Sequence, residues 1–384
     1  MSLLLNDEQQ ALRDSARRFL AAHSGSTAVR ACMETEIGFD AEVWGRIAEE
    51  LGWTAMAIPE SYGGLGLGAV ELSVLMEEMG RTLLCAPFFS TVCLATPALL
   101  LVGTEKQKQD VLPDIAAGGV RATLAWAEAE GRVAPEEIRC EARAEGSGFV
   151  LRGEKSFVVD GHSADLLIVA AREPRSAGID GIRLFLVPAT STGVERTWLP
   201  TLDQTRRLAR IRLDDVVVPR DALMGGAGSC WHALERVLDL ASIALAAEQV
   251  GGADRCLDLA VDYAKVRVQF GRPIGSFQAI KHKCADMLLR VESARSAVRY
   301  AAQVAAQAGT AASDEEVASA AAMARAYASD SYAACAAEAL QIHGGIGFTW
   351  EHDVHLFFKR ARSSATLLGD ASFHRERIAR AIGL

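Results

Sequence analysis

Gln341-Ile342-His343-Gly344-Gly345-Ile346-Gly347-Phe348, taken with Arg267-Val268-Gln269-Phe270-Gly271-Arg272-Pro273 upstream, decides how this chain is read. The first stretch reads as a helix that stops at a cluster of glycines. The second sets an arginine just before an aromatic residue and a Gly-Arg-Pro corner. Glycines lack a Cβ and let backbone N–H groups come close to a phosphate, and arginine adds a forked, permanent charge. Together they point to a pyrophosphate site in a helical protein. The usual nucleotide fingerprints are absent: the chain has neither a Walker sequence nor a G-x-G-x-x-G that opens a helix after a strand.

Outward from these stretches the chain falls into three parts. Residues 1–118 read as helices, with Asn6-Asp7-Glu8-Gln9 as a capping box before Leu12, Phe19 and Leu20. The stretch Pro59 to Gly68 breaks the pattern as a loop, and helical spacing resumes from Val70 to Leu84. Residues 119–222 carry short β-branched and aromatic runs separated by glycines and polar residues: 149–151, 156–159, 166–169, 183–187, 209–213 and 216–218. Residues 223–384 are helical again. A long apolar-periodic segment from Leu234 to Val266 is softly interrupted at Gly251-Gly252. Ser313-Asp314-Glu315-Glu316 opens an Ala-rich helix that runs to about Ile342, where Gly344 is a natural cap. The fold class expected is α+β, with a β part inserted between helical parts and no α/β alternation.

With 384 residues, half of them hydrophobic and 23% charged, the chain can bury a large core. No apolar run is long enough to span a bilayer, no signal peptide is evident, and the eight cysteines include no C-x-x-C pair, so a cytoplasmic protein with reduced thiols is expected. A net charge of −9 argues against general nucleic-acid binding. It leaves room for a phosphorylated ligand at the local basic concentrations Lys265, Arg267, Arg272, Lys281 and Lys283, and Lys359, Arg360 and Arg362; solvated helix faces are the plainer reading of the lysines.

Arg267-x-x-Phe270-Gly271, Gln278 and Gln341-x-x-Gly344-Gly345-x-Gly347 resemble the flavin-binding segments of the acyl-CoA dehydrogenases. Pro59-Glu60-Ser61-Tyr62-Gly63-Gly64-Leu65-Gly66 and Gly153-Glu154-Lys155-Ser156-Phe157-Val158-Val159-Asp160-Gly161 resemble two further signatures of that family, and the order is right over nearly the whole chain. The resemblance implies an N-terminal helical domain, a middle β-barrel or sandwich domain and a C-terminal four-helix bundle. It implies bound FAD, an acyl-CoA substrate desaturated to a trans-2-enoyl-CoA, electron-transferring flavoprotein as acceptor, and a homotetramer or a heterotetramer with a related subunit. Arg267 would hold the FAD pyrophosphate or adenine half of a neighbouring subunit, with Phe270 and Gln278 beside it. Gln341, Gly344 and Gly345 would face the phosphates from the other chain, and Phe157 would stack near the flavin ring.

Dehydrogenation needs a carboxylate within hydrogen-bond reach of the thioester Cα proton. The resemblance implies one of two positions for it. The first falls at Gly369, with Asp370 one residue later and one methylene shorter; the second falls at Ala241. Both lack an acid. Asp370 could swing in from its loop. Glu248 follows Ala241 by seven residues on nearly the same helix face, beside the apolar run 240–247. Apolar surroundings suit a general base unless the carboxylate is paired with an arginine. The loop Trp126-Ala127-Glu128-Ala129-Glu130-Gly131-Arg132 is degenerate against the family, and Val159 replaces a threonine. Two alternatives therefore stand beside a dehydrogenase: a non-catalytic partner subunit of a heteromeric acyl-CoA dehydrogenase, and a flavin monooxygenase on the same fold. His352-x-x-His355 near His343 lacks a third ligand at a known spacing, so no metal is expected. Gly161-His162-Ser163-Ala164-Asp165 lacks the second glycine of a nucleophile elbow, which sets a hydrolase aside.

Overall fold

Asn6 and Gln9 close the expected capping box: Gln9 N–H donates to Asn6 Oδ1 (2.8 Å) and Asn6 N–H to Gln9 Oε1 (3.1 Å). It opens α1 (Asp7–His23), followed by α2 (Ser26–Glu34), α3 (Ala41–Glu49) and α4 (Ala69–Thr82). The structure is a computed structural model that describes residues 3–226 and 228–384. A π-helical stretch, Phe89–Ala95, leads into α5 (Thr96–Val102) and α6 (Glu105–Ala116). Nothing in the sequence marks that wider winding, which is often found at functional sites.

The middle of the chain supplies β1 (Ala122–Ala125), β2 (Glu141–Glu145), β3 (Gly148–Val159), β4 (Leu166–Arg172), β5 (Ile182–Pro188), β6 (Val194–Leu199) and β7 (Leu208–Pro219). They form one mixed sheet in the order β1-β4-β2-β3-β7-β6, with β5 on the other edge of β4. β1 runs parallel to β4 over Leu166–Val169, and β2 meets the same edge at Arg172. The β3–β7 ladder is antiparallel, with irregularities between Leu151 and Gly153 and between Lys155 and Val158. Two runs expected as separate pieces are thus one bulged strand. The inward face packs Leu151, Val158, Leu167, Val169, Phe185, Val187, Ile211, Leu213 and Val216.

The C-terminal part holds α7 (Trp231–Val266), the hairpin strands β8 (Val268–Gln269) and β9 (Arg272–Pro273), α8 (Gln278–Ala306), α9 (Asp314–His343), α10 (Val354–Thr366) and α11 (Ala371–Ala381). α7 runs through Gly251-Gly252 without the interruption expected there. Both glycines are packing sites: a Cβ on Gly251 would stand 1.8 Å from Glu77 O, and one on Gly252 would stand 2.4 Å from the Tyr332 ring. Gly80 of α4 answers from the other side, where a Cβ would stand 2.0 Å from Glu248 O. The α4–α7 crossing is therefore a close backbone contact through small residues on both helices. The alanines of α9 are mostly buried inside this chain.

The contact pattern groups the chain differently from the three consecutive segments read in the sequence. One unit gathers the described residues up to Ala31 with Ala69–Leu84 and Ser242–Leu384; the other gathers Cys32–Gly68 with the described residues of Cys85–Ala241. α1 and α4 belong to the same unit as α8 and α9, so the helices at both ends of the chain share one body. Among the described residues, no helix is long and apolar enough to cross a membrane.

Candidate functional site

In the helical unit, α7 ends where Arg267 N–H donates to Tyr263 O (2.9 Å), and the β8–β9 hairpin begins. Gln269 pairs with Arg272, which leaves Phe270 (φ 53°) and Gly271 (φ 77°) as a two-residue tip in the left-handed region. Glycine accepts that conformation freely, whereas a bulky aromatic residue is strained by it. Phe270 is also 91% exposed, with its ring edge-on to Phe277 at 6.1 Å. The Arg272 guanidinium lies over Phe277 at 4.2 Å, and Gln278 opens α8 next to it. The Arg267 side chain is exposed and carries its charge outward.

The end of α9 lies against the end of α7. His343 stacks on Tyr263 with ring centres 4.4 Å apart, and its Nδ1 lies 2.7 Å from Ala339 O. Gln341 is exposed beside it. Gly344 takes φ 62°, ψ −139°, a conformation reserved for glycine. A Cβ on Gly344 or Gly345 would meet nothing within 4 Å, so the space beside this backbone is open. Arg267 and the Gln341–Gly345 turn, 74 residues apart from Arg267 to Gln341 in the sequence, are thus joined through Tyr263 and His343. The His352 ring packs against His343 at 4.3 Å, tilted by 53°, and burial holds both imidazoles below their ordinary range. Burial and Lys359 bring His355 down to about 4. Among the described residues, no group of three or more His, Cys, Asp or Glu side chains is placed to hold a metal ion.

The two carboxylates considered as bases are both engaged. Glu248 is 4% exposed and its Oε1 accepts from Arg360 Nη1 at 2.9 Å; Arg360 is itself 3% exposed. The pairing that would cancel a base function is present, within one chain. It also removes Arg360 from the basic surface read at residues 359–362. Asp370 is exposed and caps α11, its Oδ1 accepting from Phe373 N–H at 2.8 Å. At the two positions where the resemblance places an acid, Ala241 is fully buried, and none of Leu367, Leu368 and Gly369 carries a carboxylate. Leu368 (φ 61°) and Gly369 (φ 92°) form a left-handed turn there.

That turn is held by Arg325, which the sequence reading passed over. Arg325 is fully buried in α9; its Nη1 donates to Gln249 Oε1 (3.0 Å) and its Nη2 to the carbonyls of Ser364 and Leu367. A lone arginine inside an alanine run was the available signal. His374 Nε2 closes the turn from α11, 3.2 Å from Leu368 O. Burial and the charges of Arg325 and Arg377 push this imidazole down to about 3, so it stays neutral.

In the other unit, Phe157 (φ 56°) sits in the second irregularity of β3, 42% exposed. It faces Gly131, where a Cβ would stand 3.4 Å from its ring. The degenerate loop is anchored by buried Lys155, whose Nζ donates to Glu128 Oε1 (2.7 Å) and Trp126 O (3.3 Å). Glu128 also accepts from the N–H groups of Arg139 and Cys140. This pair fixes the loop backbone, and neither residue was singled out for it in the sequence.

Comparison with known proteins gives three domain matches in order: acyl-CoA dehydrogenase N-terminal domain over residues 6–119, middle domain over 123–216 and C-terminal domain over 228–383. Acyl-CoA dehydrogenase IpdE2 of Mycolicibacterium smegmatis is 37% identical over 365 residues, 95% of this chain and 96% of that one. The solved Tcur3481-Tcur3483 steroid ACAD is similar at 32% identity and TM-score 0.85, over 98% of each chain. The ChsE4-ChsE5 complex from Mycobacterium tuberculosis is similar at 27% identity and TM-score 0.89, over 100% of this chain and 99% of that one. Fold and matches together define a flavoprotein oxidoreductase built of helical, sheet and helical parts. The chain belongs to the acyl-CoA dehydrogenase family, whose members are FAD-dependent.

The residues present fit such a nucleotide. Arg267 is exposed at the end of α7, the Gly344-Gly345 backbone stands beside open space, and Phe270 offers an exposed ring on strained backbone. These are donors and apolar surfaces of the kinds a dinucleotide takes up.

Proposed function

We propose that this protein serves the α,β-dehydrogenation of an acyl-CoA thioester to a trans-2-enoyl-CoA as one of two unlike subunits, the other supplying the proton-abstracting carboxylate. One observation carries the reading. The positions where the family places its base hold Ala241 and the Leu367–Gly369 turn, while Glu248 and Asp370 are committed to a buried ion pair and a helix cap. Releasing Glu248 would break a buried ion pair with Arg360, at a cost of about 3–5 kcal/mol. Two of the similar structures, Tcur3481-Tcur3483 and ChsE4-ChsE5, carry paired names, and the second is described as a complex, which supports a two-subunit assembly. The first is described as a steroid ACAD, which supports a bulky, ring-bearing acyl group.

In this reading bound FAD would supply the hydride acceptor for the hydrogen leaving Cβ, with electron-transferring flavoprotein as the onward acceptor. This chain's residues bind and orient. Arg267 would meet the pyrophosphate with its guanidinium, the Gly344-Gly345 backbone and the Gln278 and Gln341 amides would supply neutral donors, and Phe270 and Phe157 would each cover an apolar face. These roles fit a dinucleotide shared between subunits.

The test is anaerobic addition of octanoyl-CoA and of a steroid-side-chain acyl-CoA, first to the protein alone and then to the protein co-expressed with a related chain that carries the family's glutamate. The expected result is that flavin bleaches only in the mixed oligomer. Bleaching of the homomeric protein, abolished by Glu248→Gln or Asp370→Asn, would overturn the two-subunit reading.

A further inference from the structure

We propose that the helical unit carries a binding site for a small aliphatic carboxylate, in a cavity that shares no residue with the nucleotide and thioester positions described above. The cavity holds about 320 Å³ and lies where α1, α2, α4, α7 and α10 come together. Its lining residues all fall within that one unit. Cavities that take small molecules begin at about 300 Å³. At the ~30 Å³ that a water claims in the liquid, this one has room for about ten non-hydrogen atoms.

Arg255 of α7 is the group that calls for a ligand. It is half-buried in the wall of the cavity and, among the described residues, has neither a hydrogen bond nor an ion pair. The other charges of the wall are matched. Glu78 is 2% exposed, and its two oxygens accept from Arg17 Nη2 (2.7 Å) and Nε (3.0 Å). Arg81 pairs with Asp254 and Asp258. Asp353 Oδ1 accepts from Ser26 Oγ (2.6 Å) and from Arg30 Nη2 (2.7 Å). One guanidinium is therefore left over, and a cation partly out of water attracts an anion more strongly than one in bulk solvent. Its field reaches His352, whose imidazole is held down by burial first and then by Arg30 and Arg255, against Asp353.

The rest of the wall sets the class of ligand. Val29, Leu83, Leu356 and Phe357 are buried side chains that line the cavity. Leu259 joins them from the face of α7 that carries Arg255, four residues further on. Such a wall favours an apolar body over a sugar or a phosphate. The forked donors of arginine match a carboxylate in two parallel hydrogen bonds, and Ser24 and Thr82 add hydroxyl-bearing residues to the wall. A carboxylate on a short hydrocarbon chain satisfies both the cation and the apolar wall.

The test is isothermal titration of the full-length protein with hexanoate, beside hexanol, which lacks the charge, and sulfate, which lacks the tail. The expected result is one hexanoate bound per chain, with hexanol and sulfate each roughly 10-fold weaker or more. Arg255→Met should weaken hexanoate roughly 10- to 100-fold, the loss expected for a charge-assisted hydrogen bond. It should leave the melting temperature unchanged or higher, since Arg255 has no bonded partner to abandon. Ala21→Trp, at the exposed rim of the cavity, should block binding with Arg255 intact. No binding to the native protein, hexanol or sulfate bound as tightly as hexanoate, undiminished binding to Arg255→Met or to Ala21→Trp, or displacement of hexanoate by octanoyl-CoA would each overturn the proposal. So would a lowered melting temperature in Arg255→Met, which would make Arg255 a structural cation.

Discussion

Glu248 of α7 and Arg360 of α10, 112 residues apart in sequence, face each other at 2.9 Å with almost no exposure on either side chain. Burying one charge without the other is expensive, while replacing both with apolar groups of similar volume is often tolerated. Arg360→Met or Glu248→Ala alone should lower stability by about 3–5 kcal/mol, and Glu248→Leu with Arg360→Met should recover most of that. Urea unfolding of the four proteins at one concentration checks it; equal losses in single and double variants would refute the pairing.

Gly80 and Gly251 hold α4 against α7 by backbone contact. A methyl group at either must displace a main-chain carbonyl that approaches within 2.0 Å of it. Gly80→Ala and Gly251→Ala should each lower stability by about 1–3 kcal/mol or more, since overpacking a rigid crossing costs at least that. Gly45, where a Cβ meets nothing within 4 Å, is the control site at which alanine should be neutral or stabilising. Thermal unfolding distinguishes the two outcomes.

His374 gives stability a dependence on acid. Its folded value lies at about 3, below the unfolded value near 6.5, because burial and neighbouring arginines disfavour its charge. The unfolded chain therefore binds this proton first as the pH falls. The contribution is whole above about pH 6.5 and is lost between there and about pH 3, at up to ~1.4 kcal/mol per pH unit. His374→Gln, which can still donate to Leu368 O, should flatten this slope in unfolding measured at pH 7, 6 and 5.

Asp370 caps α11, and cap and base functions separate cleanly. Asp370→Ala should lower stability by about 1 kcal/mol, whereas Asp370→Asn keeps the cap acceptor and should cost only a few tenths. If the carboxylate comes from the other subunit, Asp370→Asn should also leave the rate of flavin reduction in the mixed oligomer unchanged, measured by stopped flow.

Arg267→Gln should weaken FAD retention roughly 10- to 100-fold, in line with a lost charge-assisted hydrogen bond worth about 1.5–3 kcal/mol. Arg267→Lys should restore only part, because an ammonium lacks the planar fork. Flavin release followed by fluorescence reads both.

Much of this was legible in the residues. The boxes Asn6–Gln9 and Ser313–Glu316 and the cap at Gly344 announced themselves because local hydrogen bonds decide them. What escaped was what only long-range packing fixes. β2 (Glu141–Glu145) is charged and mostly exposed, and β6 lies at the end of the sheet order, so neither shows the apolar run of a central strand. Gly251-Gly252 reads as a break until Glu77 and Tyr332 arrive from elsewhere. Arg267, Phe270, Gln278 and Gln341 stood out as parts of a sequence motif, and their side chains are exposed. Arg360, by contrast, looked like surface charge, because nothing near it in sequence reveals a carboxylate 112 positions earlier.

Arg325 makes the turn at Leu367–Gly369 a matter of distant inheritance. The carbonyls that end α10 are satisfied by a guanidinium from α9, itself steadied by Gln249 of α7. A turn copied from a relative into this chain, glutamate included, would therefore arrive without the contacts that shape it. Restoring an acid to this position is a graft of at least three helices, and a single substitution would put the carboxylate on a loop whose course Arg325 and Gln249 already dictate.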